Sequence, residues 1–435
     1  MKARRLAHVA GTFRAWFARP AMLALCALRA VCTLCAAATT TAAIAQSPAA
    51  PAAGKATSTL LLTLLVPADD PRLERARLER GSPGHPGGPA LDALKIGIAE
   101  NPTQLEALGL RVELQVAEVA DLAAARAAVA RADKAATARS GSVAAFIADL
   151  PAATLLAAAD ATTSPLVNIG AAADRLRESD CRRQVLHLVP SERMRADALA
   201  QFLALRRWSQ VLLLSGPSED DRARAGAALA AIKRHGLKLV AHKPFKLSAD
   251  PRERDLANPL LLTGPSVGSY DVVWVVDSDG EFAVSLPFRT AAPRPVVGDG
   301  GLAALAWSQH FERYGAPQVT RRLQRTAGRP MGAHDWLAWM AGKALVAAAL
   351  KATEAGAGKL GAPAFAQALA ESDLDGSKGI TMGFRPWDGQ LRQPLLLSDG
   401  QGVAAVAPAE GVLHPKNNLD TLGADAPERL CKARV

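Results

Sequence analysis

The run Val211-Leu212-Leu213-Leu214-Ser215-Gly216-Pro217-Ser218-Glu219-Asp220-Asp221 is continued by Ile232-Lys233-Arg234-His235-Gly236-Leu237-Lys238-Leu239-Val240-Ala241 and by Asp271-Val272-Val273-Trp274-Val275-Val276-Asp277-Ser278-Asp279. Its middle is a fully punctuated helix. Ser218 can cap the start, with Asp221 as its capping-box partner, and Glu219 and Asp220 place negative charge on the first turn. Lys233, Arg234 and His235 place positive charge on the last turn, and Gly236 stands where a left-handed residue ends a helix. The flanking stretches Val211 to Ser215, Leu237 to Ala241 and Asp271 to Val276 are near-continuously apolar, which predicts parallel strands covered on both faces by helices. The unit is therefore read as part of a doubly wound α/β sheet, in which ligands bind beyond the carboxyl ends of the strands.

The same order extends outward. Arg111 to Val119, Val143 to Ala148, Pro165 to Ile169 and Gln184 to Val189 read as strands. Asp121 caps a helix with Leu122, Ala125 and Val129 on one face, and Ser191 introduces another carrying Met194, Leu199, Phe202 and Leu203. The apolar run Thr59 to Val66 opens the folded region, followed by a charged segment (69 to 80) and a Gly/Pro loop to Pro89. After Pro295 to Val297, the turn Gly298-Asp299-Gly300-Gly301 leads to a helical region with Ala333 to Glu354 as its longest member, then a β-like stretch from Ile380 to Pro408. Two αβ blocks with a returning helical segment predict two lobes of discontinuous chain, each a mainly parallel sheet flanked by helices, with a cleft between. The expected division is 58–188 with 299–378, and 189–298 with 379–413, leaving 414–435 as a tail.

The first 45 residues hold six cationic side chains and no acidic one, then an Ala/Leu/Cys-rich run, then Ala43-Ile44-Ala45. This reads as a signal peptide cleaved before Gln46, with residues 46–57 a Pro/Ala linker and the mature chain in the periplasm. Arg29 interrupts the apolar run, so no membrane span is expected. Without the leader the net charge falls from +10 to +4, and no Lys/Arg run is interleaved with aromatics, so nucleic acid is not an expected partner. Cys181 and Cys431 are the two cysteines left after export, an even pair that can form a disulfide in an oxidising compartment. Zincin, nucleophile-elbow and P-loop motifs are absent, and the histidines show no metal-ligand spacing. The residues point to binding rather than catalysis, with no cofactor and no metal.

Three stretches resemble the type I periplasmic solute-binding proteins of ABC transporters, in particular the branched-chain amino-acid receptors. They are Ser164-Pro165-Leu166-Val167-Asn168-Ile169-Gly170-Ala171-Ala172-Ala173-Asp174, Arg294 to Leu302, and Gly383-Phe384-Arg385-Pro386-Trp387-Asp388-Gly389-Gln390-Leu391-Arg392-Gln393-Pro394-Leu395. The tail His414-Pro415-Lys416-Asn417-Asn418-Leu419-Asp420-Thr421-Leu422-Gly423 is similar to the branch associated with pyrroloquinoline-quinone-dependent alcohol dehydrogenase systems. The resemblance implies a monomer that closes its lobes on a small solute and presents it to ABC transporter membrane subunits. It does not imply that the chain binds the quinone. A sensor or assembly partner on the same fold is the alternative.

In the amino-acid-binding relatives, the loops after the third and fourth strands hold the ligand through hydroxyls and backbone N–H groups. Here those loops are Asp149-Leu150-Pro151-Ala152-Ala153-Thr154 and Asn168-Ile169-Gly170-Ala171-Ala172-Ala173, in which alanine largely replaces the hydroxyls. Asp149, Thr154, Asn168, Ala171 and Ala172 are the candidate contacts of the first lobe, Ser215, Asp277 and the lobe-return Asp299 those of the second. Asp149 would repel a carboxylate unless it faces a cation, and reads first as a loop cap and second as a ligand contact. Ser218 reads first as a helix cap, and Trp307 and Trp387 as core residues or apolar platforms. His334 and Asp335, adjacent on a helix, should diverge.

Overall fold

The computed structural model describes residues 58–434; the expected signal peptide (1–45) and linker (46–57) lie outside the described residues. Strands β1 (Ser58–Pro67), β2 (Leu110–Val119), β3 (Ser142–Ala148), β4 (Leu166–Asn168) and β5 (Val185–His187) form an all-parallel sheet in the order β2-β1-β3-β4-β5. The apolar run of β1 is needed on both faces. Leu60, Leu62 and Leu64 enter one hydrophobic cluster, while Leu61 and Leu65 enter another on the opposite side. The helices Ala90–Ile98 and Ala333–Ala355 cover the first face, and Leu122–Thr137 with Ala152–Ala159 the second. Gly97 and Gly342 let the first pair cross closely. A Cβ on Gly97 would sit 2.1 Å from the Trp339 carbonyl oxygen, and one on Gly342 2.8 Å from that of Leu94.

The second sheet joins β6 (Gln210–Ser215), β7 (Lys238–Pro244), β8 (Val272–Val276) and β9 (Val296–Gly298), all parallel, in the order β7-β6-β8-β9. In β6, Val211 and Leu213 face the cluster built with the helices Glu192–Leu205 and Glu219–Arg234, and Leu212 and Leu214 face the one containing Phe245 and Phe282. Ser218 and Asp221 form the expected capping box, and Gly236 is left-handed at φ +69°. One expectation fails here. β7 is the edge strand with four of its seven residues exposed, so Leu237 to Ala241 is not covered on both faces; Lys238, His242 and Lys243 are the charged and polar residues that suit an edge.

A three-stranded antiparallel sheet joins β10 (Ala303–Leu305), β13 (Leu395–Ser398) and β14 (Val403–Ala407), in the order β10-β13-β14, and a short pair, β11 (Leu374–Asp375) and β12 (Thr381–Met382), lies between β10 and β13 in the chain. Leu305 and Leu396 belong to the core of the first sheet, whereas Ala304, Leu395, Leu397 and Ala407 belong to that of the second. Cys181 and Cys431 are joined as a disulfide with Cα atoms 5.6 Å apart. Arg385, fully buried, donates to Asp420 and to the carbonyls of Leu419 and Leu422, fixing the tail from inside. Trp387 lies beside Arg385 and Arg392 and donates to the Ala424 carbonyl, so its platform role is on the tail. Trp307 stacks on Trp336 in the core.

Candidate functional site

A cavity of about 560 Å³ lies between the carboxyl ends of the two parallel sheets. From the first sheet it is lined by Pro67 at the end of β1, Leu150 to Ala152 after β3, Ile169 to Ala173 after β4 and Val189 after β5. From the second it is lined by Val276 at the end of β8, Ser278 after it and Asp299 after β9. Leu199, Trp274, Leu305 and Leu337 supply apolar wall. This is where open parallel sheets place ligands, because loops and helix N-termini converge there.

The loop after β4 owes its shape to residues behind it. Asn168, fully buried, donates from Nδ2 to the Ala171 carbonyl at 2.7 Å and accepts at Oδ1 from the Gly170 and Ala171 N–H groups at 3.2 and 2.9 Å. Arg177, buried without a carboxylate partner, donates to the carbonyls of Ala171, Ala173 and Val189 and to Gln390. Burial pulls its guanidinium down to about 10, still charged at neutral pH. The Ala172 carbonyl accepts from the Glu192 N–H. All three alanine carbonyls are thus tied back, while the Ala172 and Ala173 N–H groups have no partner among the described residues. Ala152 opens a helix with no side-chain cap, a second group of N–H donors beside the cavity.

Most charged groups of the wall are already paired. Arg72 holds Asp70 at 2.7 Å and Asp149 at 2.9 Å, and His334 Nε2 meets the other oxygen of Asp149 at 2.8 Å. Asp149 lies just behind the wall and does face a cation, Arg72. Burial pushes its carboxyl up, but His334 and Arg72 outweigh burial and hold it far below the usual carboxylate range. Arg224 holds Asp299 at 2.6 Å and Glu192 at 3.6 Å, and Asp299 also accepts from the Asp277 N–H at 2.7 Å. Asp69 and Asp220 are exposed.

Of the eight candidate contacts, Ala171, Ala172 and Asp299 line the cavity. Asp149 and Asn168 stand behind it as supports. Thr154 lies on the helix after the first loop, outside the wall. Ser215 is bonded to His242 Nε2 at 2.7 Å, and Asp277, fully buried, accepts from the Ala283 N–H at 2.9 Å; neither is part of the wall. His334 and Asp335 diverge as expected, Asp335 meeting Arg329 and the Gly332 N–H. The sequence reading missed Arg72, Arg177, Arg224 and His334. Arg72 lies in a charged segment that carries no motif, and Gln390, Asp299 and Asp149, which Arg177, Arg224 and His334 meet, are remote from them in sequence.

Asp149 carries a pH signature. Its folded value is depressed, so its ion pairs contribute stability that is fully present above the ordinary aspartate value of about 3.9 and is lost as pH falls toward the folded value. Asp149→Asn is therefore expected to flatten the acid limb of the stability curve below about pH 4. Urea midpoints measured at stepped pH check this; limbs of equal slope contradict it.

The architecture is that of type I periplasmic binding proteins. No protein-family model matches the sequence, and no curated protein matches it significantly. Solved structures do. A periplasmic binding protein from Burkholderia mallei superposes with a TM-score of 0.61 at 14% identity, over 86% of this chain and 99% of that one. An ABC transporter substrate-binding protein from Sphaerobacter thermophilus gives 0.62 at 15% identity, over 81% and 98%. A leucine-, isoleucine-, valine-, threonine- and alanine-binding protein from Brucella ovis, in its closed conformation, gives 0.60 at 13% identity, over 78% and 89%. At these identities the likeness establishes the fold. Among the described residues no helix is long and apolar enough to cross a membrane, and no three His, Cys, Asp or Glu side chains converge as a metal site.

Proposed function

We propose that this chain is the periplasmic, monomeric solute-binding component of an ABC transporter, serving pyrroloquinoline-quinone-dependent alcohol oxidation. Two lobes, 58–188 with 299–378 and 189–298 with 379–413, close over a small solute and offer it to the membrane subunits. The observation that carries this reading is the cavity of about 560 Å³ between the carboxyl ends of two parallel sheets. The substrate-binding neighbours support transport, and the His414 to Gly423 motif supports the alcohol-oxidation link. A second reading, a sensor or assembly partner, is favoured by the alanines of the two loops and by the pairing of the wall charges.

The wall chemistry argues against a zwitterionic amino acid. The unpaired carboxylates Asp69 and Asp220 lie at the exposed margin. At the loop after β4 the unspent groups are the N–H donors of Ala172 and Ala173, and the half-buried acids Glu192 and Asp299 already share Arg224. An ammonium enclosed there without a carboxylate costs several kcal/mol, on the order of a thousandfold in affinity. Calorimetry with leucine, isoleucine and valine is expected to show no tight binding, and micromolar affinity for any of them contradicts this. The transport reading itself is tested by mass spectrometry of the molecule that co-purifies with native protein and by thermal-shift screening of alcohols, carboxylates and quinone-related compounds. A protein that shifts with none of them, and carries none, is a partner protein rather than a solute carrier.

A further inference from the structure

Residues 68–89 leave β1 at its carboxyl end and return to the same lobe at the helix Ala90–Ile98. None of these 22 residues enters any of the four hydrophobic clusters. Polar contacts at three points hold the segment. At its root Arg72 pairs with Asp70 and with Asp149, which follows β3 of the first sheet. At its end Arg329 donates to the Pro89 carbonyl at 3.2 Å. Between them, the short helix Arg75–Arg80 reaches the other sheet: Arg77 donates to the Asp279 carboxylate at 2.9 Å, and Arg80 to the Asp279 carbonyl at 2.5 Å. Arg77 and Arg80, three apart on a helix, share a face. Asp279 belongs to the loop after β8, at the carboxyl end of the second sheet. Arg72, Arg77, Pro83, Gly84, His85 and Pro86 of the same segment also line the cavity.

We propose that residues 68–89 form a clasp across the cleft, rooted in the first sheet through Arg72 and Asp149 and latched to the second through Arg77, Arg80 and Asp279, which biases the protein toward the closed arrangement before any ligand arrives. The proposal rests on the reading of the cavity as a ligand cleft. When the latch releases, one wall of the cavity is no longer pinned to the second sheet, so solute exchange requires breaking it. The three partners keep roughly a quarter to a third of their side-chain surface in solvent, so the latch is weak enough to open and is screened by salt. A ligand need then supply only part of the difference between open and closed states.

Electron–electron double resonance tests this without a ligand. Spin labels go on the exposed positions Arg126→Cys of the first lobe and Lys233→Cys of the second, in the full mature protein with its disulfide intact. The parent is expected to give one dominant distance at low salt, with a longer one growing between 0.05 and 0.5 M NaCl. Arg77→Ala with Arg80→Ala should raise the longer population about twofold to fivefold at low salt, the range partly exposed ion pairs deliver, and remove the salt response. Asp279→Ala should do less, because the carbonyl that Arg80 uses remains. Arg77→Glu combined with Asp279→Arg, with Arg80 and the carbonyl it uses kept, should recover part of the parental distribution. Distances in Arg77→Ala/Arg80→Ala that match the parent at both salts, in protein with unchanged circular dichroism, overturn the clasp. That result leaves the solute reading standing, since the latter fails only in the ligand screen.

Discussion

Cys431→Ser is expected to lower the free energy of unfolding by up to about 5 kcal/mol, the limit that chain entropy sets for so long a closed loop. Cys181 and Cys431 lie 250 positions apart, so the bond restricts more than half of the chain in the unfolded state. The folded tail has other attachments. Arg193 pairs with Glu428 at 2.6 Å, and the Gly423 N–H donates to Asp197. The variant should therefore fold and keep its cleft while its tail exchanges amide hydrogens faster. Urea unfolding of oxidised protein, of protein reduced with dithiothreitol and of the variant should place the last two together, well below the first. Three coincident curves, or two free thiols in periplasmic protein by non-reducing peptide mapping, contradict it.

Arg385→Met is expected to cost about 3 to 5 kcal/mol, the penalty for breaking a buried ion pair from one side. The guanidinium is fully buried and bonds Asp420 at 2.9 Å together with the carbonyls of Leu419 and Leu422 at 2.8 and 2.7 Å. Its loss leaves Asp420 to Arg392 alone and the Leu422 carbonyl without a donor, while the Leu419 carbonyl keeps the Leu422 N–H. Arg392→Ala, at a site partly open to water, should cost much less, about 1 kcal/mol. Asp420→Leu added to Arg385→Met should recover part of the loss, because the buried Asp420 charge is then gone; recovery stays partial because Asp388, 3.6 Å from Arg385, still loses its cation. Equal costs for Arg385→Met and Arg392→Ala would show that burial does not set the strength of this anchor.

Local rules made the scaffold legible in the sequence. The box Ser218–Asp221, the caps Asp121 and Ser191 and the turn at Gly236 each act within four residues of themselves, and the structure has all of them. Apolar periodicity located the strands but could not separate a central strand from an edge, so Leu237 to Ala241 was read as doubly covered. Leu122, counted on a buried face, is 43% exposed. The walls of the cavity were partly legible, since Ala171, Ala172 and Asp299 line it and sit in recognisable loops. Its supports were not. Arg72 meets Asp149, Arg177 meets Gln390 and Asp149 meets His334 across sequence distances of 77, 213 and 185 positions, and no local pattern marks an arginine or histidine that will be buried.

The little sheet β10-β13-β14 has a mechanical meaning. Ala304 and Leu305 are consecutive yet packed into opposite cores, as are Leu395 and Leu396. A pivot made of loose loops would let the halves of the molecule turn freely through any angle. Here a turn must wring a hydrogen-bonded ladder only three rungs long between β10 and β13. In the closure proposed above, the two halves would share this ladder, so a turn between them would have to disturb both cores at once.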